Sequence, residues 1–272
     1  MKVIFITGLG RSGTNLLDLL LDAHSQVCGL GEIQRLASAY KYQHKKCSCG
    51  ASNLRDCEFW PQVNQVLKQR LGREISSLNL ESRDTDTFNQ DNRIFFESVA
   101  QVSGTRYITD NSKTPRRLRR LLVAPDIDVV PVQVERDPRG CAHSQYKRKK
   151  MHIGPSFTYT FRYLNLYRLL RNREHIVIQY EQLAQDPERV LRQLMHRLDL
   201  KFEPELLSWA EQVHHNIGSA NNVLRKTEGS SIRPDNAWQK SVPGYKQAII
   251  NFITWPARML NRIKNRRWGL SS

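Results

Sequence analysis

Residues 8–15 read GLGRSGTN and follow KVIFIT, a run of β-branched and aromatic residues that stops where the glycines begin. Gly8 and Gly13 have the spacing of a nucleoside-triphosphate loop. In such a loop the second glycine precedes a lysine that reaches the terminal phosphates and a hydroxyl that holds Mg²⁺. Here Thr14 and Asn15 stand in those places, and the cation has moved inward to Arg11. Strand, glycine turn and helix start still gather backbone N–H groups and the positive end of a helix around an anion. The segment predicts a phosphate site without the apparatus for a Mg²⁺-triphosphate.

A second basic segment, VERDPRGCAHS, places Arg136 at a strand end and Ser144 on the helix that follows. An arginine so placed can grip a phosphate through paired charge-assisted bonds, with the hydroxyl facing back from the helix. Taken alone, an arginine before Asp-Pro is more often a surface or capping residue. Asp137-Pro138 and Asp186-Pro187 each read as an N-cap carboxylate before a proline at the first helical position.

Periodicity predicts strands at 2–7, 106–109, 128–134 and 175–180, a further one near Val27, and a broadly apolar first helix over 14–23. Strands alternating with helices imply an α/β fold, a three-layer sandwich with a central parallel sheet and a P-loop-like first turn. Ligands of such sheets collect at the carboxyl ends of the strands. The 272 residues suit a single domain over 1–272, with an irregular insertion at 44–90, its polar part at 73–90 exposed, and basic amphipathic helices at 243–272 divided by Pro256. Those last helices either pack on the domain or lie on an anionic membrane. No run of about 18 apolar residues occurs, and Met1 leads almost directly into a strand, so neither a spanning helix nor a leader is expected.

Lys and Arg number 42 against 26 Asp and Glu, a formal +16. The excess favours anionic partners or serves solubility, and no nucleic-acid motif accompanies it. The run KRKK at 147–150 can attract an acidic acceptor or be a solvated face. Five cysteines are too few and too unevenly spaced for a disulfide-built scaffold. Cys28 and Cys141 read as packing residues. Cys47, Cys49 and Cys57, with His44 three residues ahead, could ligate zinc, although Cys-x-Cys is not the usual knuckle spacing. Free thiols or a loop disulfide are the alternatives.

Taken together, GLGRSGT and VERDPRGCAHS resemble the paired signatures of sulfotransferases that use 3′-phosphoadenosine 5′-phosphosulfate (PAPS). GLGRSGTNLLDLLLDAHSQVCGLGE is especially similar to the opening of the Golgi-type and tyrosylprotein members. TDNSKTP and VIQYEQLAQDPERVLRQL resemble segments of bacterial members, and GSANNVLRKTEGSSIRPDNAW resembles the segment that closes over the 3′-phosphate. The resemblance implies 5′-phosphosulfate binding by Gly10, Arg11, Ser12, Gly13, Thr14 and Asn15, and 3′-phosphate binding by Arg136, Ser144 and Arg225. It implies Glu32 as the base on the acceptor, and Lys113 with Arg11 as the cations on the leaving phosphate.

Two bland readings stay open: Glu32 as a helix-start carboxylate and Arg225 as a solvated loop residue. His24 and His143 compete with Glu32 as the base. After Glu32, IQRLASAY does not reproduce at the same spacing the arginines that hold an acidic peptide in tyrosylprotein members, which argues against a protein-tyrosine acceptor. The expected enzyme is cytoplasmic or peripheral to the membrane and needs no metal. It moves a sulfuryl group to a hydroxyl of a glycan, lipid or small metabolite and releases adenosine 3′,5′-bisphosphate. A P-loop kinase and a non-catalytic nucleotide- or polyanion-binding protein are the rival readings.

Overall fold

The computed structural model of the chain describes residues 1–149, 153–218, 220–224, 229 and 231–270. In chain order it runs β1 (Lys2–Gly8), α1 (Thr14–Asp22), β2 (Val27–Gly29), α2 (Leu36–Tyr42), α3 (Phe59–Leu71), α4 (Thr85–Ser103), β3 (Tyr107–Lys113) and α5 (Pro115–Leu121). It continues through β4 (Asp128–Glu135), α6 (Pro138–Lys149), α7 (Gly154–Leu170), β5 (Ile176–Gln179), α8 (Tyr180–Gln185) and α9 (Pro187–Arg197). The short α10 (Asn221–Leu224) and α11 (Trp238–Ser241) precede a long α12 (Gly244–Trp268). The strands form one five-stranded parallel sheet of order β2-β3-β1-β4-β5, flanked by helices, which is the expected α/β class.

Val3, Ile4, Phe5 and Ile6 of β1 are all fully buried, so the strand reads as a continuous apolar run, as a strand covered on both faces must. Leu17, Leu19, Leu20 and Leu21 of α1 are likewise buried. β2 pairs with β3 in the register Val27↔Tyr107, and β4 with β5 in the register Val132↔Ile176. Contacts divide the chain into two compact units. The first comprises Met1–Ile6, Asn15–Val130 and Glu203–Ser231; the second comprises Thr7–Thr14, Pro131–Phe202 and Ile232–Ser272.

In the first unit, β3 runs four residues beyond the expected 106–109, through Asp110, Asn111, Ser112 and Lys113. Polar residues can end this strand because partners within the unit satisfy them: Asp110 accepts from the Ser112 N–H and from Arg117, and Asn111 donates to Asn15. The 44–90 stretch is not irregular throughout, because α3 lies within it. Nor is 73–90 an exposed insertion. Ile75, Leu78, Leu80 and Phe88 are buried, and the carbonyls of Leu80, Ser82 and Asp84 accept from the guanidinium groups of Arg117 and Arg120.

A tight junction follows β2. Gly31 has φ +77°, pairs with Ile217 and would place a Cβ 2.2 Å from the Ile217 carbonyl oxygen. Gly31→Ala is therefore expected to destabilise the protein by about 2–3 kcal/mol, through left-handed strain and a backbone clash. Urea denaturation checks it, and a loss under about 0.5 kcal/mol contradicts it.

In the second unit, α12 packs against α7 and α6 through Ile250, Thr254, Ala257 and Asn261, a stripe at helical spacing. Pro256 does not divide the segment; it lies inside one helix. The N–H it lacks would have bonded the carbonyl of Phe252, which sits at an exposed position where water can solvate it. Phe252, Trp255 and Ile263 form an exposed apolar stripe. Among the described residues no helix is long and apolar enough to cross a membrane.

Candidate active site

In the second unit the Gly8–Thr14 loop follows β1 directly. Gly8, at φ +151°, has Val134 O only 2.6 Å from where a Cβ would sit, so glycine lets the loop pass close to β4. Gly13, at φ +96°, likewise packs under the ring of Tyr180. Between them Arg11 adopts φ +78°, a conformation rare for a residue with a side chain. Its side chain is exposed, as is Gly10. Ser12 is fully buried and directs both its N–H and its hydroxyl to the Leu9 carbonyl, at 3.1 and 2.7 Å. Its role in the loop is to close the turn. Thr14 then starts α1, whose first N–H groups have no acceptor within the helix.

Arg136 is buried at the end of β4. Its Nη1 donates to the Arg11 carbonyl at 3.0 Å, so the two predicted arginines come together through the loop backbone. Nη2 donates to Asp235 Oδ2 at 3.0 Å, and the guanidinium lies 4.4 Å over the Tyr180 ring. Ser144 is half-buried on α6. A cleft of about 1000 Å³ opens here, lined among others by Arg136, Arg139, Gln179, Trp238, Arg258 and Arg262. Arg225 and Lys150 lie outside the described residues, as do the side chains of Lys147, Arg148 and Lys149.

In the first unit Glu32 and Lys113 meet. Lys113 Nζ lies 3.1 Å from Glu32 Oε1, and Arg35 Nε lies 3.0 Å from Oε2, so cations hold both carboxylate oxygens. Lys113 ends β3 at φ +67°, the same uncommon region as Arg11. Two of the predicted site residues thus carry left-handed backbones, the kind of local strain that collects at functional positions. Burial lowers the Lys113 pKa below the usual lysine range, opposed by the neighbouring Glu32 carboxylate. The Glu32 N–H donates to the Ile217 carbonyl, Gln34 N–H to Ser112 Oγ, and Gly218 packs against the Glu32 side chain. These contacts fix the carboxylate over the end of β3.

A buried polar layer lies beneath the pair, and sequence reasoning gave it no role. Asp18 accepts hydrogen bonds from Thr109 Oγ1, Asn216 Nδ2 and Asn111 Nδ2. Burial raises its pKa from 3.8 to about 6, partly offset by the Thr109 hydroxyl and raised further by Asp22. One turn along α1, Asp22 accepts from His214 Nδ1, whose Nε2 faces the Trp209 carbonyl at 2.6 Å. With an acceptor at each nitrogen the doubly protonated ring is favoured: burial alone would lower the His214 pKa, but the Asp22 carboxylate and the Trp209 carbonyl raise it above the usual histidine value. A signal was available: aspartates at i and i+4 inside an otherwise leucine-rich helix share one face.

The raised Asp18 pKa has a stability consequence with a definite sign. Its stabilising contribution is complete below the unfolded value of 3.8 and is lost as the pH rises through about 6. The free-energy difference between wild type and Asp18→Asn should therefore shift by about 2.5 kcal/mol in favour of asparagine between roughly pH 4 and pH 8. Denaturant titrations at the two pH values measure this, and a difference independent of pH contradicts it.

The histidines considered as bases have other surroundings. His24 is buried, and its Nδ1 accepts the Gln26 N–H at 3.0 Å, 3.6 Å from Glu203. His143 is buried on α6. No disulfide joins any of the five cysteines, and Cys28 and Cys141 are packed as expected.

Residues 3–204 match the model of the sulfotransferase family. The fold is similar to the sulfotransferase domain of the Synechococcus PCC 7002 olefin synthase, at 14% identity over 94% of this chain and 93% of that one, TM-score 0.59. It is also similar to the sulfotransferase domain from the curacin biosynthetic pathway, at 16% identity over 93% and 97%, TM-score 0.55. Sulfotransferase STF9 from Mycobacterium avium gives 12% identity over 97% and 76%, TM-score 0.52. No curated protein matches the chain.

Proposed function

Because the chain belongs to the sulfotransferase family, we propose that it transfers a sulfuryl group from PAPS to a hydroxyl of a glycan, lipid or small metabolite. The observation that carries the catalytic reading is the buried Glu32–Lys113 pair, with Lys113 held in a strained backbone at the strand end. The acceptor oxygen forms a bond to sulfur while the bond from sulfur to the bridging oxygen of the 5′-phosphate breaks. Glu32 takes the acceptor proton, and Lys113 and Arg11 offset the charge that develops on the leaving phosphate. For Glu32 to act, the acceptor hydroxyl must replace one of the two cations at its oxygens.

The donor fits the residues present. The unsatisfied N–H groups at the start of α1 and the exposed Arg11 suit the 5′-phosphosulfate with no lysine or metal. Gly10, Gly13, Thr14 and Asn15 supply backbone to this cradle, and Ser12 holds its turn. Arg136 suits the 3′-phosphate, which must share or displace Asp235; Ser144 and, by family resemblance alone, Arg225 are the further binders we propose for it. We place the enzyme in the cytoplasm, with the exposed stripe of α12 beside Arg258 and Arg262 suited to resting on an anionic membrane.

The test is transfer of radiolabelled sulfuryl from PAPS to a panel of hydroxyl acceptors, with adenosine 3′,5′-bisphosphate release as the second readout. Both signals are expected, and both should fall in Glu32→Gln. Phosphoryl transfer from Mg²⁺-ATP to the same panel, with no use of PAPS, contradicts the reading.

A further inference from the structure

Three cysteine sulfurs and one imidazole nitrogen converge in the first unit, outside the machinery described above. Cys47, Cys49, Cys57 and His215 place their ligand atoms within 4.8 Å of one another. Cys49 Sγ lies 3.7 Å from Cys57 Sγ, and His215 Nδ1 lies 3.1 Å from Cys57 Sγ and 3.9 Å from Cys47 Sγ. Zinc bound tetrahedrally, with sulfur at about 2.3 Å and nitrogen at about 2.0 Å, sets its ligand atoms roughly 3.5–3.8 Å apart. Those three separations, 3.1–3.9 Å, are near the edges of such a tetrahedron, and the others are no longer than 4.8 Å. His44 is not among them: it is exposed, and the histidine that closes the set comes from 158 residues beyond Cys57.

The surroundings are those of a closed metal centre. Gly50, at φ +98°, turns the chain between the cysteines, with Gly50 N–H bonded to Cys47 O and Cys47 N–H to Ala51 O. The Phe59 ring stacks on the His215 imidazole at 5.2 Å, and Trp60 Nε1 donates to the His215 backbone carbonyl, so the ring and the main chain of His215 each have a fixed partner.

We propose that Cys47, Cys49, Cys57 and His215 bind one structural zinc ion that staples the 47–57 loop to the 214–218 segment. Soft thiolates with one imidazole select zinc over Mg²⁺ or Ca²⁺, and four protein ligands leave no position for substrate. The staple bears on the active site through its neighbours in sequence. Ser48 bonds to the Asn216 carbonyl, Asn216 donates to Asp18, Ile217 accepts from the Glu32 N–H and Gly218 packs on Glu32. The metal is thus a positioning device for the carboxylate, apart from the sulfuryl transfer itself.

The test is elemental analysis of the full-length protein, purified without chelator or added metal. About one zinc per chain is expected, with thiol reactivity at Cys47, Cys49 and Cys57 protected until the ion is released. Cys49→Ser and His215→Ala should each weaken zinc retention by 10-fold or more, whereas Cys28→Ser should retain it. Because a ligand variant can misfold, the wild-type apoprotein is also titrated with Co²⁺. An equimolar end point with sulfur-to-metal charge-transfer bands and intense tetrahedral ligand-field bands supports an S₃N centre. Wild-type protein with less than about one-tenth zinc per chain, no Co²⁺ spectrum and three freely reactive thiols overturns the proposal.

Discussion

Lys113→Ala is expected to lower kcat for sulfuryl transfer by about 10²–10⁴-fold while leaving the fold intact. Removing one preorganised donor from a developing oxyanion typically costs about 10²–10³-fold, and Lys113 brings a full, desolvated charge. Its side chain is only 14% exposed, and its left-handed backbone at the end of β3 leaves it little freedom to move. Because the charge on the leaving phosphate grows in the transition state, the loss should appear in kcat more than in the donor KM.

The Glu32 partnership adds a sharper expectation. Glu32→Gln alone should cost about 10²–10⁴-fold, as loss of a general base does. The double variant should lose no more than about 10-fold beyond the worse single one, since the two side chains are in contact and act as a unit. Steady-state kinetics of the three variants, with circular dichroism to confirm folding, checks this. Losses that simply multiply, or a Lys113→Ala variant with full kcat, contradict the paired role.

The second large effect concerns stability. Arg117→Ala should destabilise the protein by about 3–5 kcal/mol. Arg117 is fully buried, and its guanidinium reaches Asp110 Oδ2 at 2.7 Å, Leu80 O at 2.6 Å, Glu81 Oε1 at 2.9 Å and Asn92 Oδ1 at 2.7 Å. Truncation leaves the fully buried Asp110 carboxylate without its cation, takes the guanidinium from the three other acceptors, of which Leu80 O keeps the Asn92 amide, and opens a cavity. Pairing Arg117→Met with Asp110→Asn should recover part of the loss, because the stranded charge is gone. Urea unfolding measures both, and a loss under about 1 kcal/mol for Arg117→Ala contradicts the account.

Arg117 also shows where reading the sequence stopped. Loop, first helix and strands were legible because each carries a local signal: glycines at fixed spacing, a leucine-rich helix, short apolar runs and Asp-Pro helix starts. Asp186 illustrates the last, accepting from the Arg189 N–H at 3.1 Å. The 73–90 stretch misled because its composition is polar while its carbonyls are capped by arginines from another element. Its few apolar residues, irregularly spaced, are buried without making a period.

Longer-range relations were hidden for the same reason. Nothing near Cys57 announces His215, and nothing in α1 announces that Asn216 will donate to Asp18; the fold alone brings them together. Lys113 could be singled out only through likeness to the family, because a polar strand end looks like a loop in sequence. Pro256 points the other way, since a strong local rule is overridden by an exposed carbonyl and a well-packed opposite face.

The central claim is that the Arg11 loop and Arg136 hold a 3′,5′-bisphosphorylated adenosine donor without magnesium. Calorimetric titration with adenosine 3′,5′-bisphosphate, beside AMP and Mg²⁺-ATP, tests it most directly. The account predicts binding of the bisphosphate in the presence of a chelator, at least about 10-fold weaker binding of AMP, and no competition from Mg²⁺-ATP. Tight Mg²⁺-ATP binding with no measurable affinity for the bisphosphate would contradict it.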